Sequence, residues 1–285
     1  MRKLATLTVV AATACAPSLR VQHTRTDPGR VVGAELLGAR GTDAIVFLER
    51  LSPRGFVVRS LALDDGTSQI LARTEDPRDT AWLRSVHDRF GWRVLPSSGR
   101  AVRPDAVFAI DDTLLLHVDE PSGLAGYATA SVQAVYGASR VTLTELVQVR
   151  GLSVGPLYRT GHHGVLVVRD GDTQSLRILD LDAARTALDN LEAVRHLNAG
   201  DLERAGALLE RAVARAPSSG ESVYNLACVR ALQGRLDEAE DTLAIALAID
   251  GKRYARLARG DGDLAALRER DAVREKIGLK PRKGL

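Results

Sequence analysis

The sequence predicts an α+β protein: a β-rich body, either a small sandwich or an open antiparallel sheet with one helix, followed by an all-helical repeat region. Three observations predict it. Between about residues 31 and 181, apolar and β-branched residues run in short stretches divided by turn signals, as strands do. From residue 182 onward the apolar spacing becomes helical. Within that region Gly200 recurs as Gly234, Ala205 as Ala239 and Ala212 as Ala246, each 34 residues further on.

A chain of 285 residues with 45% hydrophobic side chains has room for two packed domains. Its net charge is only +3, and Arg alternates with acids along the helices, which describes solvated faces and excludes a nucleic-acid stripe. The one concentrated basic run, Lys280, Arg282 and Lys283, reads as a solvated terminus. Two cysteines, Cys15 and Cys228, form neither a metal spacing nor a disulfide framework, so neither metal nor cofactor is expected. No apolar run reaches the roughly 20 residues that span a bilayer.

The division expected is a signal peptide at 1–14, a tether at 15–30, the β-rich domain at 31–181 and the helical domain at 182–285. Arg2 and Lys3 precede an apolar run, Leu4–Ala14, and the small residues Ala12, Thr13 and Ala14 lead into Cys15. This arrangement resembles the bacterial lipobox, which implies that Cys15 is acylated and becomes the mature amino terminus. Ala16 is not Asp, which in that family implies sorting to the outer membrane, facing the periplasm. The alternative is cleavage after Ala12-Thr13-Ala14, releasing a soluble periplasmic protein. The following residues, through Arg30, carry Pro and Ser without periodicity and read as a spacer.

In the β-rich domain, strands are expected at Ala44–Arg50, Gly55–Leu63, Gln69–Ala72, Leu114–Val118, Val141–Val149, Gly164–Arg169 and Ser175–Leu181. Asp64-Asp65-Gly66 and Asp170-Gly171-Asp172 supply turns that tolerate positive φ. Leu124–Tyr136 is read as strand. One helix interrupts the run, capped by Asp76 with Pro77 in its first turn, and Trp82, Leu83, Val86 and Phe90 share its inner face. The hairpins at 56–71 and 165–181 repeat one layout, as propeller blades do, but about 150 residues cannot close a propeller of ordinary size.

Three chemical signals are weighed against plainer readings. Gly151-Leu152-Ser153-Val154-Gly155 is a literal G-x-S-x-G, yet Pro156, Gly161 and Gly164 leave no room for the helix a nucleophile elbow requires, so a glycine-flanked loop is expected. His162 and His163 are adjacent, so on a strand they point to opposite faces and do not share a metal. His87 and His117 stand alone. The acidic pairs Asp64/Asp65, Asp111/Asp112 and Asp170/Asp172 sit beside turn residues, which accounts for them without acid/base chemistry.

In the helical domain, Tyr224, Asn225, Leu226 and Ala227 are followed by Gly234, Asp237-Glu238-Ala239, Ala246-Leu247 and Asp250. This skeleton, repeated at 34 residues, resembles the tetratricopeptide repeat family over about residues 182–270. The first unit departs from it, with Asp189 and Glu192 where large apolar residues are usual. A degenerate third unit is expected to hold a short helix at Tyr254–Arg259, a break at Asp261-Gly262-Asp263 and a closing helix from Leu264 to Ile277, with Leu264, Leu267 and Val273 inward. The resemblance implies a concave groove for protein partners, presenting Asn190, Val194, Asn198, Tyr224, Cys228 and Ala231. Asn190 and Val194 stand where carboxylate-gripping members carry Lys and Asn, which disfavours that ligand. Cys228 is read as a packing residue.

The function expected is a lipid-anchored, non-catalytic envelope scaffold that holds protein partners. The alternatives are a periplasmic hydrolase built on Ser153 or a histidine, and a β-domain sensor of a glycan or small ligand. The 4% aromatic content offers little lining for the latter.

Overall fold

The structure, a computed structural model, describes residues 19–20, 30–52, 55–76, 79–95, 97–98, 107–111, 114–119, 129–147, 152–170 and 173–280. They divide into two compact units. Described residues up to Val135, together with Arg140–Ala184, form one; Tyr136–Ser139 and the residues from Arg185 onward form the other. Among the described residues no helix is long and apolar enough to cross a membrane. Cys15 and the predicted leader lie outside the described residues.

The first unit carries β1 (Leu19–Arg20), β2 (Arg30–Arg40), β3 (Ala44–Ser52), β4 (Phe56–Ala62), β5 (Ser68–Thr74), α1 (Thr80–Phe90), β6 (Ser97–Ser98), β7 (Val107–Asp111), β8 (Leu114–Val118), β9 (Thr129–Tyr136), β10 (Ser139–Val147), β11 (Leu152–Thr160), β12 (His163–Asp170) and β13 (Thr173–Asp180). These strands form not one sheet but three antiparallel ones, in the orders β2-β3-β4-β5, β10-β9-β8-β7 and β1-β13-β12-β11-β6. Two-residue alternation on β3 builds a layered core. Ile45 and Phe47, with Leu61 and Leu63, pack against Val165, Val167, Leu176 and Ile178 of β12 and β13. Val46 and Leu48 point the other way, into a cluster with Val58, Trp82, Leu83 and Val86 that seats α1.

A charged pair is built into the same sheet. Arg59 on β4 donates from Nε to Glu49 Oε2 on β3 at 2.5 Å, with the two side chains 7% and 1% exposed. At Gly38, a Cβ would strike the Arg93 carbonyl and the Trp92 ring. Glycine there lets Ala39 and Arg93 exchange two backbone hydrogen bonds at 2.9 Å.

Several local expectations need correction. Asp79, not Asp76, caps α1, accepting from the Trp82 amide at 2.9 Å; the helix starts at Thr80, so Asp76 is too far upstream. From Leu152 to Gly155 the stretch is strand and not loop, because β11 runs from Leu152 through Ser153 in register with β12; Gly151 lies outside the described residues. Pro156 lies within a register shift between Val154 and Leu157, where a missing ladder donor is tolerated. The Asp65 turn is as read: Asp65 Oδ1 accepts from the Thr67 amide and hydroxyl, each at 2.8 Å, and Gly66 takes φ 72°. Gly171 and Asp172 lie outside the described residues.

The helical elements are α2 (Leu181–Asn198), α3 (Leu202–Arg215), α4 (Gly220–Leu232), α5 (Leu236–Ile249), α6 (Gly251–Gly260) and α7 (Asp271–Lys276). Gly200 and Gly234 both take φ 79°, so the same left-handed turn joins α2 to α3 and α4 to α5. Asp201 caps α3 and Asp250 caps α6. Ala205, Ala212, Ala239 and Ala246, the repeated small residues, are all wholly buried, as close helix packing requires. Asp189 and Glu192 are buried too, at 6% and 4% exposure. Each has a charged partner: Arg211 and Arg215 reach Asp189 at 2.8 and 3.0 Å, and Arg195 reaches Glu192 at 2.7 Å. Ion pairs thus replace apolar contacts in the first unit.

The closing helix from Leu264 to Ile277 does not form as one element. Two 3₁₀ turns, Gly262–Leu264 and Leu267–Glu269, precede the short α7. Leu264 and Leu267 are three residues apart, a spacing that stacks them on one side of a 3₁₀ path. Arg270 is then extended, at φ −81° and ψ 124°, and ends it. Leu264, Leu267, Val273 and Ile277 are nonetheless buried in the core of this unit.

Candidate functional site

The first helices of the three successive helical pairs, α2, α4 and α6, line one cavity of 260 Å³. Val194 and Leu197 come from α2; Glu221, Tyr224, Asn225 and Cys228 from α4; Arg253, Tyr254, Arg256, Leu257 and Gly260 from α6. Asp261 and Asp263 close one end. The placement follows from helical geometry, since residues three and four apart share a face. On α4 that rule aligns Glu221, Tyr224, Asn225 and Cys228.

The floor is held by aromatic and polar contacts. Tyr224 and Tyr254 stack with ring centroids 5.4 Å apart. The Tyr224 hydroxyl donates to Asp261 Oδ2 at 2.8 Å, and the Cys228 thiol points at the same oxygen at 3.7 Å. Arg253 reaches Glu221 at 2.6 Å, closing the opposite end. Asn225 Nδ2 donates to Asn190 Oδ1 at 2.9 Å, tying α4 to α2. Arg268 Nη1 donates to the backbone carbonyls of Ala258 and Asp261.

Burial, then the neighbouring Cys228 and Asp261, push the Tyr224 hydroxyl far above its ordinary range. Burial, then Asp261 and Asp263, do the same to the Cys228 thiol. Both therefore keep their protons and act as donors to Asp261. Asp263 is raised as well, by burial and by Asp261. Cys228, Asp261 and Asp263 bring one ligand atom each within 4.8 Å of one another. Metal ligation requires the thiolate, and burial beside two acids favours the thiol.

The structure separates the six groove positions read from the sequence. Val194, Tyr224 and Cys228 line the cavity. Asn190 is buried behind it, hydrogen-bonded to Asn225. Asn198 is exposed at the end of α2 and does not line the cavity. Ala231 is buried among the packing residues of α4 and α5. Sequence reasoning missed the third wall, Arg253, Tyr254, Leu257, Asp261 and Asp263, which belongs to the unit without a full motif. The available signal was the spacing of Tyr254, Leu257 and Ala258 on one helical face.

The other candidates do not assemble. Ser153 lies at the start of β11, and His162 and His163 lie beyond and opposite its far end. At about 3.3 Å per residue that is roughly 20 Å or more of strand, far beyond hydrogen-bond reach. His162 instead contacts Asp182 at 2.5 Å and is exposed. His87 meets the Trp92 ring edge-on at 4.6 Å. His117 lies 3.0 Å from Asp119, which also accepts from Ser131 and Gln133. That cluster, unread in the sequence, has the carboxylate at its centre. The Ser131 hydroxyl donates to that carboxylate, while His117 Nδ1 faces the carboxylate's other oxygen.

Residues 196–260 match the tetratricopeptide repeat family, from the end of α2 to the end of α6. The match falls on the helices that form the cavity. Tetratricopeptide repeats generally mediate protein–protein interaction. Comparison with curated proteins finds no match.

Proposed function

We propose that this is a lipid-anchored, non-catalytic protein of the bacterial cell envelope that holds partner proteins through its helical repeat. The observation that carries the reading is the cavity shared by α2, α4 and α6, which lies on the repeat's first helices. A groove formed this way accepts a side chain from a segment laid across it. Anchoring rests on Arg2, Lys3, the apolar Leu4–Ala14 and Cys15. Thioether acylation there puts the folded units at the outer membrane, on its periplasmic side. Each buried lipid CH₂ contributes about 0.8 kcal/mol, so two or more chains hold firmly. The non-catalytic reading is supported by the distance between Ser153 and the paired histidines, and by the burial that pushes the Cys228 thiol up.

Two measurements test it. A photocrosslinking residue at Arg256, inside the groove, captures a partner in intact envelopes, whereas the same residue at Glu210, which does not line the cavity, captures none. Equal capture at both positions sinks the scaffold reading. For the anchor, Cys15→Ser moves the protein from the membrane to the soluble fraction; a variant that stays membrane-bound refutes acylation.

A further inference from the structure

We infer that the groove is selective for a partner segment that presents a Lys or Arg side chain beside an apolar residue. The inference rests on the scaffold reading above and specifies the chemistry of what that same site takes.

The charges around the cavity are unevenly spent. Glu221 is neutralised by Arg253 at 2.6 Å. Asp261 and Asp263 sit together at the other end, and the hydrogen bonds Asp261 Oδ2 receives come from neutral groups, Tyr224 and Cys228. Arg268 Nη1 donates to the backbone carbonyls of Ala258 and Asp261 and not to either carboxylate. Arg256, on the lining of α6, is exposed. Two clustered carboxylates, one of them pushed toward its neutral form by burial and then by the other, gain from an incoming cation what their neighbours do not supply.

The approach to this acidic end is apolar. Val194 and Leu197 on one side and Leu257 on the other flank the Tyr224–Tyr254 stack. A Lys or Arg side chain has this composition: a methylene stem that covers apolar surface and a charged head. An acidic or carboxylate-terminated ligand meets like charge at the same place, and like-charge juxtaposition is strongly disfavoured. The cavity's 260 Å³ accommodates one long side chain, with the rest of the segment lying across the helices.

The test is selection of random twelve-residue peptides on the full chain, with a chosen peptide then titrated against variants. Before selection, sedimentation at rising concentration is measured for wild type and Asp263→Asn. Asp263→Asn leaves the Tyr224–Asp261 hydrogen bond in place, and circular dichroism checks that each variant is folded. The expected result is enrichment of peptides with Lys or Arg next to an apolar residue. Their affinity falls about tenfold on Asp263→Asn, and by a similar factor when the basic residue is replaced by norleucine. Enriched peptides without a basic residue, or basic peptides that bind Asp263→Asn as well as wild type, overturn the charge selectivity while leaving the groove reading intact. Binding unaffected by Val194→Trp, which fills the cavity, overturns both. Self-association abolished by Asp263→Asn, or occupancy by a peptide copied from residues 16–30, assigns the groove to this chain itself and overturns the foreign partner.

Discussion

Gly220→Ala tests the packing under the groove most directly. Gly220 is the first residue of α4 and is buried, with a backbone that L-residues adopt freely. In an open position the replacement would stabilise the protein by about 0.4–1 kcal/mol, because alanine restricts the unfolded chain. Here a Cβ would lie 2.5 Å from the Tyr254 hydroxyl, 2.7 Å from its Cε2 and 2.9 Å from its Cζ. Tyr254 is itself 3% exposed and stacked on Tyr224, so its ring edge has little freedom to retreat. Overpacking of this kind costs about 1–3 kcal/mol, which outweighs the entropic gain and leaves a net loss of about 1–2 kcal/mol. Urea unfolding followed by far-ultraviolet circular dichroism reads it, since most of the helix lies in the repeat. Both tryptophans, Trp82 and Trp92, lie in the other unit, so their fluorescence follows that unit and not the site of the substitution. Adding Tyr254→Phe removes the closest atom but leaves two ring carbons within 3 Å, so rescue is partial. A Gly220→Ala protein as stable as wild type, or more so, would refute the placement of the Tyr254 ring.

Three further outcomes follow from the charges and the thiol. Glu49→Ala removes the carboxylate that the buried Arg59 Nε reaches and lowers stability by about 1.5–3 kcal/mol, read by tryptophan fluorescence in urea; an unchanged midpoint refutes the buried pair. Asp263→Asn raises the stability of the helical unit at neutral pH. With the Asp263 carboxyl raised in the folded state, folding retains a proton that the unfolded chain has already lost. Wild-type stability therefore declines, relative to the variant, as pH climbs from the ordinary carboxylate range through the folded value, and the two converge in acid. A gap that widens on acidification contradicts this. Finally, in a Cys15→Ser background, Cys228 resists iodoacetamide in native buffer and reacts fully in urea; rapid native labelling contradicts its burial and retained proton.

What was legible in the sequence depended on the length scale of the signal. Strands such as Leu114–Val118 were readable because β-branched or apolar runs end at sharp turn residues. Strand β2 was not, because its run RVVGAELLGAR carries two glycines and an Ala-Glu pair that dilute the alternation, and its pairing with β3 shifts register twice. The assortment of strands into three sheets was out of reach as well. Hairpin signals specify which neighbours pair, but which sheet faces pack together depends on contacts such as Phe47 with those of β12 and β13, more than a hundred residues away. In the repeat, Val194, Tyr224 and Cys228 were placed by the resemblance, carried over by motif position, and they line the cavity. Asn198 and Ala231 lie outside the cavity lining, because the period assigns a helix but not the rotation at its end, where the last turn leaves the groove.

The third wall shows how a degenerate unit contributes to a site it does not announce. Gly220 and Tyr254 are separated by one 34-residue period, so they hold the same position in successive units. A repeat search counts that pair as a mismatch. In the structure they touch: the absent side chain of one makes room for the ring of the other, and the ring then stacks on Tyr224 to form the groove floor. Divergence between units is thus part of the packing, much as Asp189 and Glu192 exchanged apolar contacts for arginine partners in the first. The identical residues define the path of the helices, and the unlike ones shape what lies between them. A groove closed by Asp261 and Asp263 is therefore a property of this chain's departures from the repeat, and its ligand preference is to be sought there.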